Sequence, residues 1–442
     1  MERRGKIISF LLFLCFGCAS AFAQVDLTPS DSIPTIPLTT DTLVVDTLST
    51  DSTDAESDET YIHFDEDTLY WGSRTGNVQN LFTRLDQLLT TKQGDLHIVQ
   101  IGGSHIQAGT MSHRIRKHLL DEYGASPASR GMIFPYSTAA NCNNPHDYRV
   151  SKDKTFNLIR NVYQNYTFPL GASGIAVWNA NEMNSITIKM NDSEHDFTAD
   201  TIILLGSTRG WPIDPILKED TIYHFPDHED TVNGRYYFFF DHPVRDFTLY
   251  FPCSQGDTFI VNGILLKNSL PGITYTSIGV NGAQVTSYLR CQNFVRDMKL
   301  LQPDLVIFNI GVNDAYGAGF DSIGFKNNYL KLVQKIREAN PNCSFIFFSN
   351  NDTWKRARKG YYVNPTGPEV KDVMFRLADL TGGAVWDQFS IMGGLKSMET
   401  WRRKGLAQKD HVHFTAAGYN LIGDLFYDAF IREIRPNTND AR

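Results

Sequence analysis

The sequence predicts an α/β domain with a parallel sheet, interrupted by an inserted β-sandwich. Short apolar runs alternate with helical segments in residues 95–135 and again after residue 270. Such alternation is typical of a parallel sheet covered by helices on both faces. Residues 148–268 instead contain strand-like runs separated by turn signals, a pattern that indicates a sandwich. A chain of 442 residues is also long for one ordinary domain.

The first 23 residues have the pattern of a secretory signal peptide. A basic start precedes the apolar run 7–17, and Ala21 and Ala23 stand where a signal peptidase recognises small residues. We expect export to the periplasm, the cell surface or the medium. A lipid anchor at Cys18 is the less favoured alternative, because Cys15 stands where a lipidation signal has Leu. The short apolar run and the cleavage site argue against a retained membrane anchor, so no stable membrane insertion of the mature chain is expected.

The α/β part is discontinuous, because residues 61–147 and 269–435 flank the insert. Its expected strands are 96–101, 304–310, 344–349 and 384–386, and its expected helices are 111–123, 325–339, 369–380 and 416–434. Residues 24–60 are rich in Thr, Asp, Ser and Pro and predict a disordered linker. Residues 436–442 form a short tail.

Composition limits the partners and cofactors. The formal net charge of −8 leaves no basic surplus, so a nucleic-acid partner is not expected. The cysteines beyond the signal peptide fit no metal motif and leave disulfide pairing open; they are Cys142, Cys253, Cys291 and Cys343. The sequence does not indicate an oligomeric state.

Three polar or glycine-rich segments follow predicted strands or precede helices. Ser104 comes directly after the strand 96–101, Gly282 precedes a helical segment, and Asn313 follows the strand 304–310. A serine hydroxyl, a backbone N–H and an amide suit a nucleophile and its oxyanion donors. Taken alone, the Ser104 and Gly282 segments are better explained by helix capping or turn formation, which is also the alternative for Asn313.

A fourth segment lies before the last helix. Two residues separate Asp410 from His413, so one turn can bring the carboxylate to the imidazole. His413 can then accept a serine proton while Asp410 orients its ring. The alternative is a metal site that uses His411 and His413, although no third ligand lies nearby in a compatible motif.

These four segments resemble the conserved blocks of the SGNH (GDSL-like) hydrolase family. The matching stretches are GGSHIQ at 102–107, GVNGA at 279–283, GVND at 311–314 and DHVHFT at 410–415. The resemblance covers residues 95–135 and 270–432. It implies a three-layer, flavodoxin-like hydrolase fold.

The resemblance also implies a role for each site residue. Ser104 corresponds to the nucleophile, His413 to the base and Asp410 to its partner. Gly282 and Asn313 correspond to oxyanion donors, together with the backbone N–H of Ser104. One departure is Gly103, where the family has an aspartate, so the local turn is expected to differ.

Within this family, the position of the insert is similar to that in bacterial peptidoglycan O-acetylesterases. The resemblance implies hydrolysis of acetyl esters on a peptidoglycan-type or other polysaccharide through an acetyl-serine, without cofactor or metal. The insert is then a candidate carbohydrate-binding domain, and Trp401 is a candidate substrate contact. Two alternatives stay open, namely acetyl transfer by the same triad and a non-catalytic carbohydrate-binding surface protein.

Overall fold

The computed structural model describes residues 61–72, 76–123, 129–139, 142–191, 195, 197–317 and 319–434. The predicted signal peptide (1–23), linker (24–60) and tail (436–442) lie outside the described residues. Among the described residues, no helix is long and apolar enough to cross a membrane.

The elements are numbered here in chain order. The strands are β1 (Leu69–Trp71), β2 (Asp95–Gly102), β3 (Gly131–Ile133), β4 (Tyr148–Lys152), β5 (Asn157–Arg160), β6 (Ile175–Ala180), β7 (Met183–Met190), β8 (Ala199–Arg209), β9 (Ile216–Glu219), β10 (Ile222–His224), β11 (His228–Asp230), β12 (Arg235–Val244), β13 (Phe247–Pro252), β14 (Thr258–Lys267), β15 (Gly272–Gly279), β16 (Leu305–Asn309), β17 (Ser344–Phe348), β18 (Trp354–Ala357), β19 (Gly360–Val363) and β20 (Ala384–Trp386). The helices are α1 (Gly76–Thr91), α2 (Ser104–Gln107), α3 (Thr110–Tyr123), α4 (Val285–Leu289), α5 (Phe294–Leu301), α6 (Val312–Tyr316), α7 (Ser322–Arg337), α8 (Gly367–Thr381), α9 (Gln388–Ile391), α10 (Ser397–Arg403) and α11 (Ala416–Ile434).

A six-stranded sheet lies at the centre of the α/β part, in the order β1-β20-β17-β16-β2-β15. Five of its strands are parallel, and β1 adds an antiparallel edge that the sequence did not predict. Both faces are buried, because neighbouring residues enter different cores: Ile98 belongs to one apolar cluster and Val99 to the other. This explains why these strands appear as continuous apolar runs in the sequence.

Helices cover both faces of this sheet. Apolar residues of α1, α3 and α11 join the cluster that contains Ile98, whereas those of α5, α7 and α8 join the cluster that contains Val99. The predicted three-layer α/β fold is confirmed.

Two antiparallel sheets occupy the region of the predicted insert. One has the order β10-β9-β13-β7-β4, and the other has the order β11-β12-β8-β14-β6-β5 with β3 beside β14. Buried residues of both sheets, such as Leu249 and Phe259, share one apolar core, as in a sandwich. The strand β3 precedes residue 148, so the larger sheet also takes a strand from the preceding α/β segment.

The sandwich is not separated from the α/β part by a gap in the packing. All described residues belong to one compact unit, and the cluster that contains Val99 continues into both antiparallel sheets. The four cysteines are buried and free.

Candidate active site

The site forms where neighbouring parallel strands end. The strands β15, β2 and β16 are adjacent, and Ser104, Gly282 and Asn313 lie in the loops and short helices that follow them. Gly279 lets two of these loops approach closely, because a Cβ there would lie 2.2 Å from the backbone nitrogen of Gln107. Polar groups far apart in sequence therefore meet at one edge of the sheet.

A hydrogen-bonded chain joins the predicted triad residues. The hydroxyl Oγ of Ser104 lies 2.7 Å from Nε2 of His413. Nδ1 of the same ring lies 2.6 Å from Oδ2 of Asp410. This is the contact pattern that an activated serine requires, with a base on the hydroxyl and a carboxylate on the far side of the base.

The carboxylate of Asp410 is held by its own loop. Its Oδ1 accepts hydrogen bonds from the backbone N–H groups of Val412 and His413, both at 3.0 Å. Burial raises the pKa of Asp410. The hydrogen bond from the His413 ring and these backbone donors lower the pKa by more than burial raises it, so that the pKa is about 2. Asp410 is therefore ionised at neutral pH and can stabilise a charged imidazole.

The oxyanion side of the site is built from the two other loops. Nδ2 of Asn313 donates to the carbonyl of Ala283 at 3.0 Å, and Nε2 of Gln284 donates to the carbonyl of Asn313 at 3.1 Å. One N–H of the Asn313 amide is thus occupied, which orients the other. These contacts fix the two loops against each other.

A small cleft opens between these groups. It is lined by Gly103, Ser104, His105, Ala283, Asn309, Ile310, Gly311, Val312 and Asn313. Gly282 lies next to this lining with a positive φ of 82°, which glycine adopts readily. Its role as an oxyanion donor stays a prediction, as do the roles of the Ser104 N–H and the Asn313 amide.

Gly103 leaves the Asn313 amide uncrowded. A Cβ at this position would lie 3.3 Å from Nδ2 of Asn313. An aspartate here would require a small movement of that amide.

His105 is a site residue that the sequence argument missed. Its buried ring lies 5.1 Å from the His413 ring, between centroids, and its Nδ1 is 2.9 Å from the hydroxyl of Tyr419. Burial, with the neighbouring His413, lowers the pKa of His105 to about 3, so it is neutral at physiological pH. A histidine directly after the nucleophile was the available signal.

The prediction that Trp401 contacts substrate is wrong, because its side chain has no exposed surface. The indole Nε1 donates to the carbonyl of Met392, and the ring packs edge-on against Phe414. The side chain therefore supports the loop of Asp410 and His413 from the core. Its position close before that loop indicated proximity but not orientation.

The two histidines of the last block have separate partners. His411 Nε2 lies 2.9 Å from a carboxylate oxygen of Glu399, while His413 contacts Ser104 and Asp410. Among the described residues, no group of three or more His, Cys, Asp or Glu side chains is placed to hold a metal ion. The geometry favours the triad over the His411–His413 metal pair.

Residues 261–421 match the model of the GDSL-like Lipase/Acylhydrolase family. This part of the chain is similar to GDSL-like hydrolases. The family match supports an ester-hydrolysing enzyme. No curated protein matches the chain by sequence.

One solved structure shares the fold of most of this chain. A structure of a peptidoglycan O-acetylesterase is 20% identical, with a TM-score of 0.67 over 83% of this chain and 99% of that one. An acetyl xylan esterase is 19% identical (TM-score 0.29; 36% of this chain, 81% of that one). A family two carbohydrate esterase from Cellvibrio japonicus is 8% identical (TM-score 0.27; 65% and 99%). Only the first is similar enough in structure to support an argument about the fold.

Proposed function

We propose that this protein is a carbohydrate O-acetylesterase that removes acetyl groups from a polysaccharide of the peptidoglycan type. The observation that carries the proposal is the Ser104–His413–Asp410 chain at the mouth of a small cleft. Support for the substrate comes from the peptidoglycan O-acetylesterase structure, whose similarity covers 83% of this chain.

Acylation begins with attack of Ser104 Oγ on the acetyl carbonyl carbon, while His413 Nε2 accepts the hydroxyl proton. The negative charge on the carbonyl oxygen is stabilised by the Ser104 backbone N–H and the Asn313 amide. The tetrahedral intermediate then expels the sugar oxygen, which receives the proton from His413. The products of this half are a free sugar hydroxyl and acetyl-Ser104.

Deacylation repeats these steps with water. His413 takes a proton from the water as its oxygen attacks the acetyl carbon. The intermediate releases Ser104 Oγ, which regains a proton from His413, and acetate leaves. Asp410 stays ionised throughout, and its negative charge stabilises the protonated imidazole in both halves.

The test is acetate release from O-acetylated peptidoglycan and from acetylated xylan, with the wild type, Ser104→Ala and His413→Ala. We expect release by the wild type alone, and faster release from peptidoglycan. Acetyl-sugar formation with an added sugar acceptor, in place of free acetate, would indicate a transferase. No acetate from either polymer or from an aryl acetate would contradict the proposal and favour a binding protein.

We also propose export of the mature chain, on the basis of the pattern in residues 1–23. Fractionation of producing cells should find the protein outside the cytoplasm, shortened at its N-terminus. Full-length protein in the cytoplasm would contradict this.

A further inference from the structure

A basic hairpin stands beside the active site. Among the strands that the structure describes, β18 and β19 pair only with each other, in the register Lys355 with Tyr362 and Arg356 with Tyr361. Residues 354–363 carry four Lys or Arg side chains and no Asp or Glu, on a chain with a net charge of −8. The positive charge of the hairpin is therefore not balanced by acidic residues within the hairpin itself.

The hairpin is attached to the loop that carries the catalytic base. The backbone N–H of Trp354 donates to the carbonyl of His411 at 3.1 Å. The His411 ring lies 5.2 Å from the Trp354 ring and 4.6 Å from the Tyr361 ring, between centroids. Since His411 is two residues from His413, the position of the hairpin is tied to that of the base.

A second attachment joins the hairpin to the oxyanion side. The hydroxyl of Tyr316, at the end of α6, donates to the carbonyl of Trp354 at 3.2 Å. The ammonium of Lys355 donates to the carbonyl of Gly317 at 2.9 Å. Because α6 also carries Asn313, the hairpin is attached on both sides of the catalytic cleft.

The free cations of the hairpin face solvent. Arg356, Arg358 and Lys359 are exposed, and none of them forms an ion pair with a described residue. Cross-strand pairing places Arg356 and Tyr361 on one face of the hairpin, where an aromatic ring and a guanidinium are presented together. Tyr361 and Tyr362 are also partly exposed, at 37% and 52%.

We propose that this hairpin is the polymer-binding subsite of the enzyme and that it selects an O-acetylated glycan bearing carboxylates, as peptidoglycan does on its peptide stems. This deepens the proposed function and rests on it. Unpaired cations beside a cleft attract anionic polymers, and the tyrosine rings offer flat surfaces for sugars. A neutral glycan such as xylan could pack on the tyrosine rings but would not be attracted by the cations.

The test measures binding directly, with the full chain in a Ser104→Ala background so that the substrate is not consumed. Co-sedimentation with insoluble O-acetylated peptidoglycan is compared for that chain and for one that adds Arg356→Ala, Arg358→Ala and Lys359→Ala. We expect the three added substitutions to weaken binding by about tenfold or more at low salt, and by less as salt rises.

Two controls make the result specific. The substitutions Lys299→Ala, Lys331→Ala and Arg376→Ala remove the same charge from exposed positions on α5, α7 and α8, and should change binding by less than about twofold. Amidation of the stem carboxylates should remove the difference between the hairpin variant and its parent. Thermal unfolding checks that both triple variants are folded.

The proposal is wrong if the hairpin substitutions leave binding unchanged or weaken it no more than the control substitutions do. It is also wrong if the hairpin substitutions weaken binding to amidated peptidoglycan as much as binding to native peptidoglycan. Because binding is measured without turnover, this result is independent of acetate release. Failure to release acetate, with binding through the hairpin intact, would overturn the esterase assignment alone.

Discussion

The parallel sheet and the two antiparallel sheets share a core but contribute differently to the site. The triad and the candidate oxyanion groups all come from segments outside the antiparallel sheets. In the described residues, no strand of the antiparallel sheets lines the catalytic cleft. The difference follows from topology, since parallel strands end at one common edge and antiparallel strands do not. Mutations in the segments that carry the triad should therefore lower kcat, whereas mutations in the antiparallel sheets should lower the free energy of unfolding.

The largest effect is expected in the segments that carry the triad. Ser104→Ala and His413→Ala should each lower kcat for an aryl acetate by about 10⁴-fold or more, because the nucleophile or its base is lost. Steady-state kinetics on purified protein measures this. His118→Ala on α3 is the matched control, since His118 pairs with Asp424 away from the triad, and its kcat should stay within about twofold. A His413→Ala enzyme with near wild-type kcat would remove the triad from the mechanism.

Asn313 tests the oxyanion side of the same edge. Asn313→Ala should lower kcat by about 10²–10³-fold with a smaller change in KM, because the amide acts on charge that develops in the transition state. Asn327→Ala, at an exposed position on α7, is the matched control and should leave both parameters within about twofold. Equal kinetics for the two variants would show that the amide only links the loops.

The antiparallel sheets should respond in stability instead. Leu249 on β13 is fully buried, so Leu249→Ala should lower the free energy of unfolding by about 2–5 kcal/mol. The kcat of the protein that remains folded should be unchanged. Denaturant unfolding and kinetics at low temperature separate the two quantities. Leu380→Ala, at a half-exposed leucine on α8, should cost less than about 1 kcal/mol. A large loss of kcat in folded Leu249→Ala would show that the sandwich shapes the cleft.

The smallest expected effect concerns Asp314, whose carboxylate accepts from the backbone N–H of Val285. Burial raises the pKa of Asp314 to about 7, although that hydrogen bond lowers it. The folded state then binds more protons than the unfolded state between about pH 4 and 7, so this group reduces stability as pH rises through that range. The Tm of Asp314→Asn minus the Tm of the wild type should therefore increase by about 2–4 °C when the pH is raised from 4 to 8. Parallel Tm curves for the two proteins would contradict the raised pKa.

The sequence predicted the elements whose residues have a strong local preference for one kind of secondary structure. Buried parallel strands are apolar throughout, which is why the strand 384–386 was located with its correct bounds. Ser104, Asp410 and His413 were found because their segments follow a predicted strand or precede a helix and together resemble the blocks of the SGNH family. The structure brings all three into hydrogen-bond contact.

Features that depend on tertiary packing were not predictable in the same way. The addition of β3 to the larger antiparallel sheet joins segments more than a hundred residues apart. Trp401 was assigned to the surface because a sequence position does not show which way an indole points. The hairpin β18–β19 was missed because a polar, basic stretch has no apolar alternation to mark its strands.

Asp410 and His413 reside on a single short loop, and this has a consequence for turnover. The loop is closed by the bond from the Gln408 N–H to the His413 carbonyl and by the bridge between Ala407 and Phe414. A fluctuation that opens this loop removes the base and its carboxylate together, and no half-assembled triad results. The observed rate is then the intrinsic rate multiplied by the population of molecules with the loop closed. Substitutions beneath the loop can lower activity by changing that population while every reacting group stays intact.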